Sequence, residues 1–199
     1  MKEELIVRDY QPEDELEWLD LHASVMVDSY AWWIVLHKKP TYKNDVINLV
    51  TCDKGKLVGF TVAEINSEIE REKNIAFVWD FGVHRNYRGK NIGRIMIKHL
   101  HKIMNEKYGL NKSIWYSQDP DSIKYYDHIG MKEIGKHWQL TLSPNREQSH
   151  YFKKDKFNCW TIRGDCAIDD LDEIKKKFKV IEDDDTLKPM ICVGYEYVL

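Results

Sequence analysis

A mixed α/β (α+β) fold, with a mostly antiparallel sheet flanked by helices and one late β-α-β crossover, is what this sequence predicts, and three observations predict it. Two apolar runs, 47–52 and 57–65, flank Asp53-Lys54-Gly55-Lys56, a hairpin turn with glycine available for positive φ. A strand, an amphipathic helix and a second strand then follow between residues 75 and 116, the order of a crossover connection. The composition, 43% hydrophobic and 32% charged over 199 residues, supplies a core and argues against wholesale disorder.

Taken in order, Leu5–Tyr10 reads as a first strand, with Ile6 and Val7 carrying β propensity. Pro12 to Ala23 reads as a helix, with proline and three acids in its first turn and Leu16, Leu19 and Ala23 at helical spacing. The apolar run Tyr30–Leu36 fits helix or strand equally. After the hairpin and the charged bend Glu68–Lys73, Ile75–Val83 reads as a strong strand. The next helix places Ile92, Ile95, Met96, Leu100, Ile103 and Met104 on an apolar stripe, with Arg94, Lys98, His101, Lys102 and Glu106 largely off it and Gly109 just past its end. Ser113–Tyr116 is a short strand. Asp119 caps a helix opened by Pro120 and stopped by Gly130, and Lys136–Leu142 is a further strand. Beyond Ser143-Pro144-Asn145 the composition changes. A helix at 169–179, the acidic turn Glu182–Asp185 and a final strand at 190–198 form a C-terminal α/β extension. The domains expected are a core at 1–144 and an extension at 145–199 packed on it, which covers a cleft, completes the sheet or makes a dimer contact.

Composition excludes several function classes. A formal net charge of −3 opposes nonspecific nucleic-acid binding, which needs a basic surface to release phosphate counterions. No apolar run approaches the length of a membrane span, and the charged start MKEELIVRDY lacks a signal peptide's apolar stretch. A cytoplasmic protein is expected, with no nucleic-acid or membrane partner. Cys52, Cys159, Cys166 and Cys192 are scattered, and no histidine stands at finger spacing, so no metal site is expected.

The stretch that carries chemistry is Val78–Gly93, where a strand meets a polar, basic turn and then a helix. That order aims backbone N–H groups and the positive end of a helix dipole at one point, and such a point binds phosphate or diphosphate. Arg88, Lys90 and Arg94 bring cations to the same place. The Walker pattern does not fit, because Gly89 and Gly93 stand one residue too close and Arg94-Ile95 follows them. The dinucleotide fingerprint is also absent. On these residues alone, a phosphate site and an ordinary connection with a solvated basic face stay equally open.

Here the sequence resembles the GNAT superfamily of acyl-CoA-dependent N-acetyltransferases. Their turn motif, glutamine or arginine, two residues, glycine, one residue, glycine or alanine, is met at its first and last positions by Arg88-Gly89-Lys90-Asn91-Ile92-Gly93, with Val83, His84 and Tyr87 before it. Ser122-Ile123-Lys124-Tyr125-Tyr126-Asp127-His128-Ile129-Gly130-Met131 is similar to a second family element. The resemblance covers about residues 3–142 and implies a GNAT-type sheet with acetyl-CoA as cosubstrate. It also implies that main-chain atoms of Phe81 and Val83 meet the pantetheine arm, that Arg88 through Arg94 surround the diphosphate, and that the thioester lies where two parallel strands splay. The family usually has glycine where this chain has Asn91; asparagine is the residue that best tolerates the left-handed region in its place.

An amine attacking a thioester must first become neutral, and a primary amine with pKa of about 10.4 is neutral on the order of one part in a thousand at pH 7. The resemblance assigns Tyr126 as the acid that protonates the departing thiolate; it also shares a helical face with Ile123 and Gly130, where its alternative is a core residue. Asp80, an acid in the apolar strand 76–81, either binds or deprotonates the amine, or pairs with an arginine or a backbone amide at the sheet end. Asp28, Tyr30, Trp32 and Trp33 place an acid beside aromatics, which suits a cationic acceptor, though a Trp-Trp pair also suits a core. The function expected is acetyl transfer from acetyl-CoA to a primary amine of a small molecule or peptide. The reading from another class is a non-catalytic acyl-CoA sensor or scaffold.

Overall fold

Strand β1 (Ile6–Asp9) opens the chain, and its Arg8 grips Asp14 through two guanidinium hydrogen bonds of 2.7 and 2.8 Å. Asp14 also accepts the Gln11 N–H at 2.8 Å, so one carboxylate ties the strand to the single 3-10 turn Pro12–Asp14 that leads into helix α1 (Glu15–Met26). These contacts belong to a computed structural model that describes residues 5–29, 36–68, 70, 73–143, 162–182 and 188–198. It divides into two compact units, Met1–Trp115 with Glu196–Leu199, and Tyr116–Tyr195.

In the first unit the strands stand in the order β1, β2 (Val46–Asp53), β3 (Lys56–Ile65), β4 (Ala76–Val83), β5 (Lys112–Ser117), antiparallel until β5, which runs parallel to β4. The β2–β3 turn is made by Lys54 and Gly55, both with positive φ (53° and 82°), the conformation whose twist matches the flanking strands. Helix α2 (Ile92–Tyr108) is the crossover between β4 and β5. One apolar cluster joins Trp18 and Leu21 of α1 to Val50, Leu57, Phe60 and Val62. A second joins Ile92 and Met96 of α2 to Val58, with Phe81, Val83 and Tyr87 packed against it. Burying Phe60 alone contributes roughly 1.5–3 kcal/mol, offset by the entropy of ordering it.

The second unit carries helix α3 (Pro120–His128), whose Asp119 cap accepts the Asp121 N–H at 3.0 Å. Strand β6 (Lys132–Ser143) pairs antiparallel with β7 (Ile162–Ala167) and, at its end, with β8 (Lys179–Val180). Helix α4 (Leu171–Lys177) and β9 (Met190–Val198), a neighbour of β6, complete the described chain. The strands expected at 113–116 and 136–142 form and are longer than expected, whereas the first strand is shorter and the helix expected over 169–179 is confined to Leu171–Lys177, Lys179–Val180 pairing with β6 instead; β7 was not expected. Among the described residues no helix is long and apolar enough to cross a membrane. Of the Tyr30–Leu36 run all but Leu36, and of the Glu182–Asp185 turn all but Glu182, lie outside the described residues.

Two helix faces differ from expectation. On α1 the buried residues are Trp18, Leu21 and His22, whereas Leu16 is 79% exposed. A tryptophan and a histidine one turn apart hold the face that the leucine spacing had assigned elsewhere. On α2, Ile97 and His101 are buried and Ile95 is exposed. His101 is fully buried because its Nε2 meets the Ser113 hydroxyl at 2.8 Å, and Ser113 also accepts the Trp115 indole N–H at 2.7 Å.

Candidate functional site

The connection from β4 to α2 is built from local backbone chemistry. His84 Nδ1 accepts the Asn86 N–H at 3.2 Å, and the His84 carbonyl accepts from Tyr87 at 2.8 Å, which closes a 3-10 turn over Arg85–Tyr87. Partial burial, then the charges of Lys56, Arg85 and Arg88, hold the His84 imidazole below its ordinary value, so it stays neutral and free to accept. His84 therefore shapes the turn.

Two left-handed residues follow, Gly89 (φ 76°) and Asn91 (φ 65°, ψ 7°). A Cβ on Gly89 would meet nothing within 4 Å, so glycine is needed there for its torsion, not for space. Asn91 is the cap residue of α2, its carbonyl accepts from Ile95 at 3.1 Å, and its side chain makes no cap hydrogen bond. The N–H groups of Ile92, Gly93 and Arg94 open the helix where no preceding turn supplies an acceptor. With the positive end of a 17-residue helix behind them, they form an anion cradle. Arg88, Lys90 and Arg94 stand exposed around it, Lys90 with its ammonium 4.6 Å from the Tyr87 ring centroid. These residues fit a diphosphate.

Asp28, just past α1, spans two arginines of this turn: Arg85 at 2.9 Å and Arg88 at 3.1 Å. Arg88 Nε also donates to the Val83 carbonyl at 3.2 Å. Both arginines are nearly half exposed, so the pairs orient the guanidinium groups more than they stabilise the fold. Arg85 precedes the motif and carried no signal in the sequence.

Strand β4 presents two different faces. Opposite Val62 and Ala63 the register slips, leaving Trp79 as a bulge between Val78 and Asp80. Beyond it Phe81 and Val83 pack with the α2 cluster, and Phe81 stands edge-on to Trp115 at 5.3 Å. Asp80 and Gly82 face α1. The ladder to β5 consists of Ala76–Ser113 and Phe77–Ile114; no further β4–β5 pair forms among the described residues.

Around Asp80 lies a polar cluster that the sequence reading did not assemble. His22 Nε2 approaches Asp80 Oδ1 at 3.6 Å, with side-chain exposures of 2% and 17%. Burial pushes the Tyr42 phenol well above its ordinary range, helped by the charges of Asp80 and Glu64 and by a hydrogen bond to Asp80. Lys39 lies over the Trp18 ring at 3.9 Å. Glu64 nearby is already satisfied: it accepts the Trp79 indole at 2.9 Å and the N–H groups of Lys43 and Asn44 at 3.2 and 3.1 Å. Burial pushes its carboxyl up, but those bonds and one from Ser67 outweigh it and hold the group low. The loop positions of Lys39 and Tyr42 offered no periodic signal, whereas His22 was findable as the fourth residue after Trp18.

In the second unit Tyr126 is 5% exposed and its ring stands edge-on to Tyr195 at 5.5 Å. Burial, then the charges of Tyr125, Asp119 and Tyr195, push its phenol far above the ordinary value. Tyr30, Trp32 and Trp33 lie outside the described residues. Among the described residues no group of three His, Cys, Asp or Glu side chains could hold a metal ion.

Comparison with known proteins gives a consistent result. Residues 4–131 match the sequence profile of the Acetyltransferase (GNAT) family. No curated protein matches the chain significantly. Among solved structures, an acetyltransferase of GNAT family from Streptococcus pneumoniae superposes with a TM-score of 0.58 at 12% identity, over 98% of this chain and 100% of that one. An N-acetyltransferase from Staphylococcus aureus Mu50 gives 0.56 at 15% identity, over 98% of each chain. A PaiA N-acetyltransferase from Thermoplasma acidophilum, crystallised with coenzyme A, gives 0.52 at 15% identity, over 82% of this chain and 99% of that one. At such identities the likeness speaks for the fold.

Proposed function

The chain belongs to the GNAT acetyltransferase family, and from that premise we propose that it transfers an acetyl group from acetyl-CoA to a primary amine of a small molecule or peptide. The observation that carries this reading is the turn itself. Gly89 and Asn91 are both left-handed, the α2 N-terminus has no side-chain cap, and Arg88, Lys90 and Arg94 surround it. In the proposed role the amides of Ile92, Gly93 and Arg94 hold the diphosphate. Main-chain groups of Phe81 and Val83 align the pantetheine arm along β4. Asp28 supports the phosphate side, because its two oxygens hold Arg85 and Arg88 at the turn.

Acetyl-CoA supplies the thioester carbonyl; the protein has to deliver a neutral amine to it. Generating that amine at pH 7 costs about 4–5 kcal/mol for an ordinary lysine-type nitrogen. Asp80 answers this need: it draws the ammonium to the α1 face of β4 and takes its proton, directly or through water. The nitrogen forms the N–C bond as the C–S bond breaks and sheds the second proton it must lose to become an amide, while the thiolate takes up a proton to leave as CoA thiol. We assign that last proton to Tyr126, which stays protonated at neutral pH, and the proton shed by the nitrogen restores the phenol through solvent.

A second reading, a CoA-binding module without turnover, has one observation behind it: the burial of Tyr126 that makes its phenol a poorer acid. Thiol release measured over a panel of amines separates the two. The enzyme reading expects CoA release that falls at least about tenfold in Tyr126→Phe, within the usual range for a general acid. Saturable acetyl-CoA binding with no thiol release from any amine would put the module ahead.

A further inference from the structure

Three buried nitrogens on the α1 face of the first unit reach no hydrogen-bond partner among the described residues: Trp18 Nε1, His22 Nδ1 and Lys39 Nζ. They are neighbours. Trp18 and His22 stack with ring centroids 5.0 Å apart, and the Lys39 ammonium lies 3.9 Å from the Trp18 centroid and 5.0 Å from that of Tyr10. Lys39 is only 8% exposed. Burial pulls its ammonium down to about 8, and the charges of Asp80 and Glu15 work against that shift, so Lys39 is still a cation at neutral pH. Glu15 already accepts the Lys39 backbone N–H at 3.1 Å.

An aromatic face offsets part of an ammonium's desolvation. A buried ammonium and a buried indole N–H nonetheless ordinarily point at oxygen acceptors, and each exception asks for an explanation. The complement to the two donors among these nitrogens, the Lys39 ammonium and the Trp18 indole N–H, is an oxyanion. A short way off, within the field that Lys39 feels, Asp80 presents the opposite chemistry, a carboxylate bordered by His22 and Tyr42. One cluster thus holds a donor pole and an acceptor pole.

We propose that the acceptor is an amine bearing a carboxylate, its ammonium held at Asp80 and its carboxylate bound by Lys39 with Trp18 Nε1 as a second donor. The proposal rests on the acetyl-transfer reading above and names the substrate class for it. Lys39 then determines specificity: a diamine of the same length would bring a second ammonium against the buried Lys39 cation, and like charges brought together in a desolvated site repel strongly.

The test compares thiol release from β-alanine and γ-aminobutyrate with release from propylamine, butylamine and putrescine. The amino acids should exceed the matched alkylamines in kcat/KM by about tenfold or more, the worth of one charge-assisted hydrogen bond, with putrescine last. Lys39→Met should collapse that ratio, and Lys39→Arg should restore much of it. A thermal melt with acetyl-CoA confirms that each variant is folded. If Lys39→Met does not fold, wild-type protein decides: butyrate should inhibit butylamine acetylation competitively and butanol should not. Putrescine or butylamine turned over as well as γ-aminobutyrate, no inhibition by butyrate, or an unchanged ratio in folded Lys39→Met would overturn the carboxylate assignment while leaving acetyl transfer standing. Absence of thiol release from every amine would overturn both.

Discussion

Gly82 sits two residues beyond Asp80 on the same face of β4, and the α1 layer closes directly over it. A Cβ built there would lie 2.6 Å from Phe60 Cζ, 2.9 Å from Phe60 Cε1 and 2.9 Å from Val25 Cγ1. Ordinary contact begins near 3.4 Å, so a single methyl must displace two side chains. Phe60 has nowhere simple to go: it is fully buried, with Trp18 at 5.2 Å and His22 at 5.6 Å between ring centroids. Overpacking of this kind costs about 1–3 kcal/mol, which for a chain of this size lowers the melting temperature by about 2–12 °C. Because the displaced ring presses on Trp18 and His22, Gly82→Ala should also raise the KM for the amine more than the Kd for acetyl-CoA. Gly59→Ala is the control. A Cβ there would meet Met96 Sδ at 2.7 Å and the Gly82 carbonyl oxygen at 3.3 Å; Met96 is as buried as Phe60, but an unbranched thioether adapts its shape where a ring cannot, so its loss should be smaller. Melts of both variants with amine and acetyl-CoA titrations measure all of this. A Gly82→Ala protein that melts with the wild type, or below which Gly59→Ala falls, would refute the packing argument.

Further outcomes follow from the same geometry. Asn91→Gly should fold and bind acetyl-CoA as well as or better than wild type, since φ 65° suits glycine; Asn91→Val should lose about 1–2 kcal/mol and weaken binding, both read by melts with and without acetyl-CoA. His101 is neutral in the fold, and burial lowers its imidazole from 6.5 to about 4. Its folded pKa lies below its unfolded one, so its contribution is fully present above pH 6.5 and is lost as pH falls from 6.5 toward 4, a total of about 3 kcal/mol. Urea melts across that window should show a shallower acid loss in His101→Leu; parallel curves would contradict the assignment.

Much of the fold was legible because hydrophobic period and turn chemistry act locally. The strands, the crossover helix and the Asp119-Pro120 helix start all follow from residues within a turn of one another. The turn proposed as the phosphate site was legible for the same reason: Gly89, Asn91 and the following helix are contiguous, and the two left-handed torsions fall on residue types that tolerate them. What escaped depends on partners distant in sequence. His101 looked like a surface residue because Ser113, which meets its Nε2, is on another element. The buried face of α1 was missed because Trp18 and His22 carry polar atoms that a count of leucines ignores, although they pack on Phe60. The cluster at Asp80 draws His22 from α1, Lys39 and Tyr42 from the connection to β2, and Asp80 from β4, and no spacing rule joins three such segments.

Isothermal titration of acetyl-CoA into folded protein tests most directly whether the turn between β4 and α2 is a seat for a CoA diphosphate. Such a seat predicts one saturable site, weakened by added salt as phosphate contacts require, and largely lost in a folded Gly93→Val variant whose valine crowds the buried first turn of α2. At a hundred times Kd the ligand should also stabilise the wild type by about 2.7 kcal/mol. No heat of binding to well-folded wild type, or binding to Gly93→Val as tight as to the parent, would contradict it.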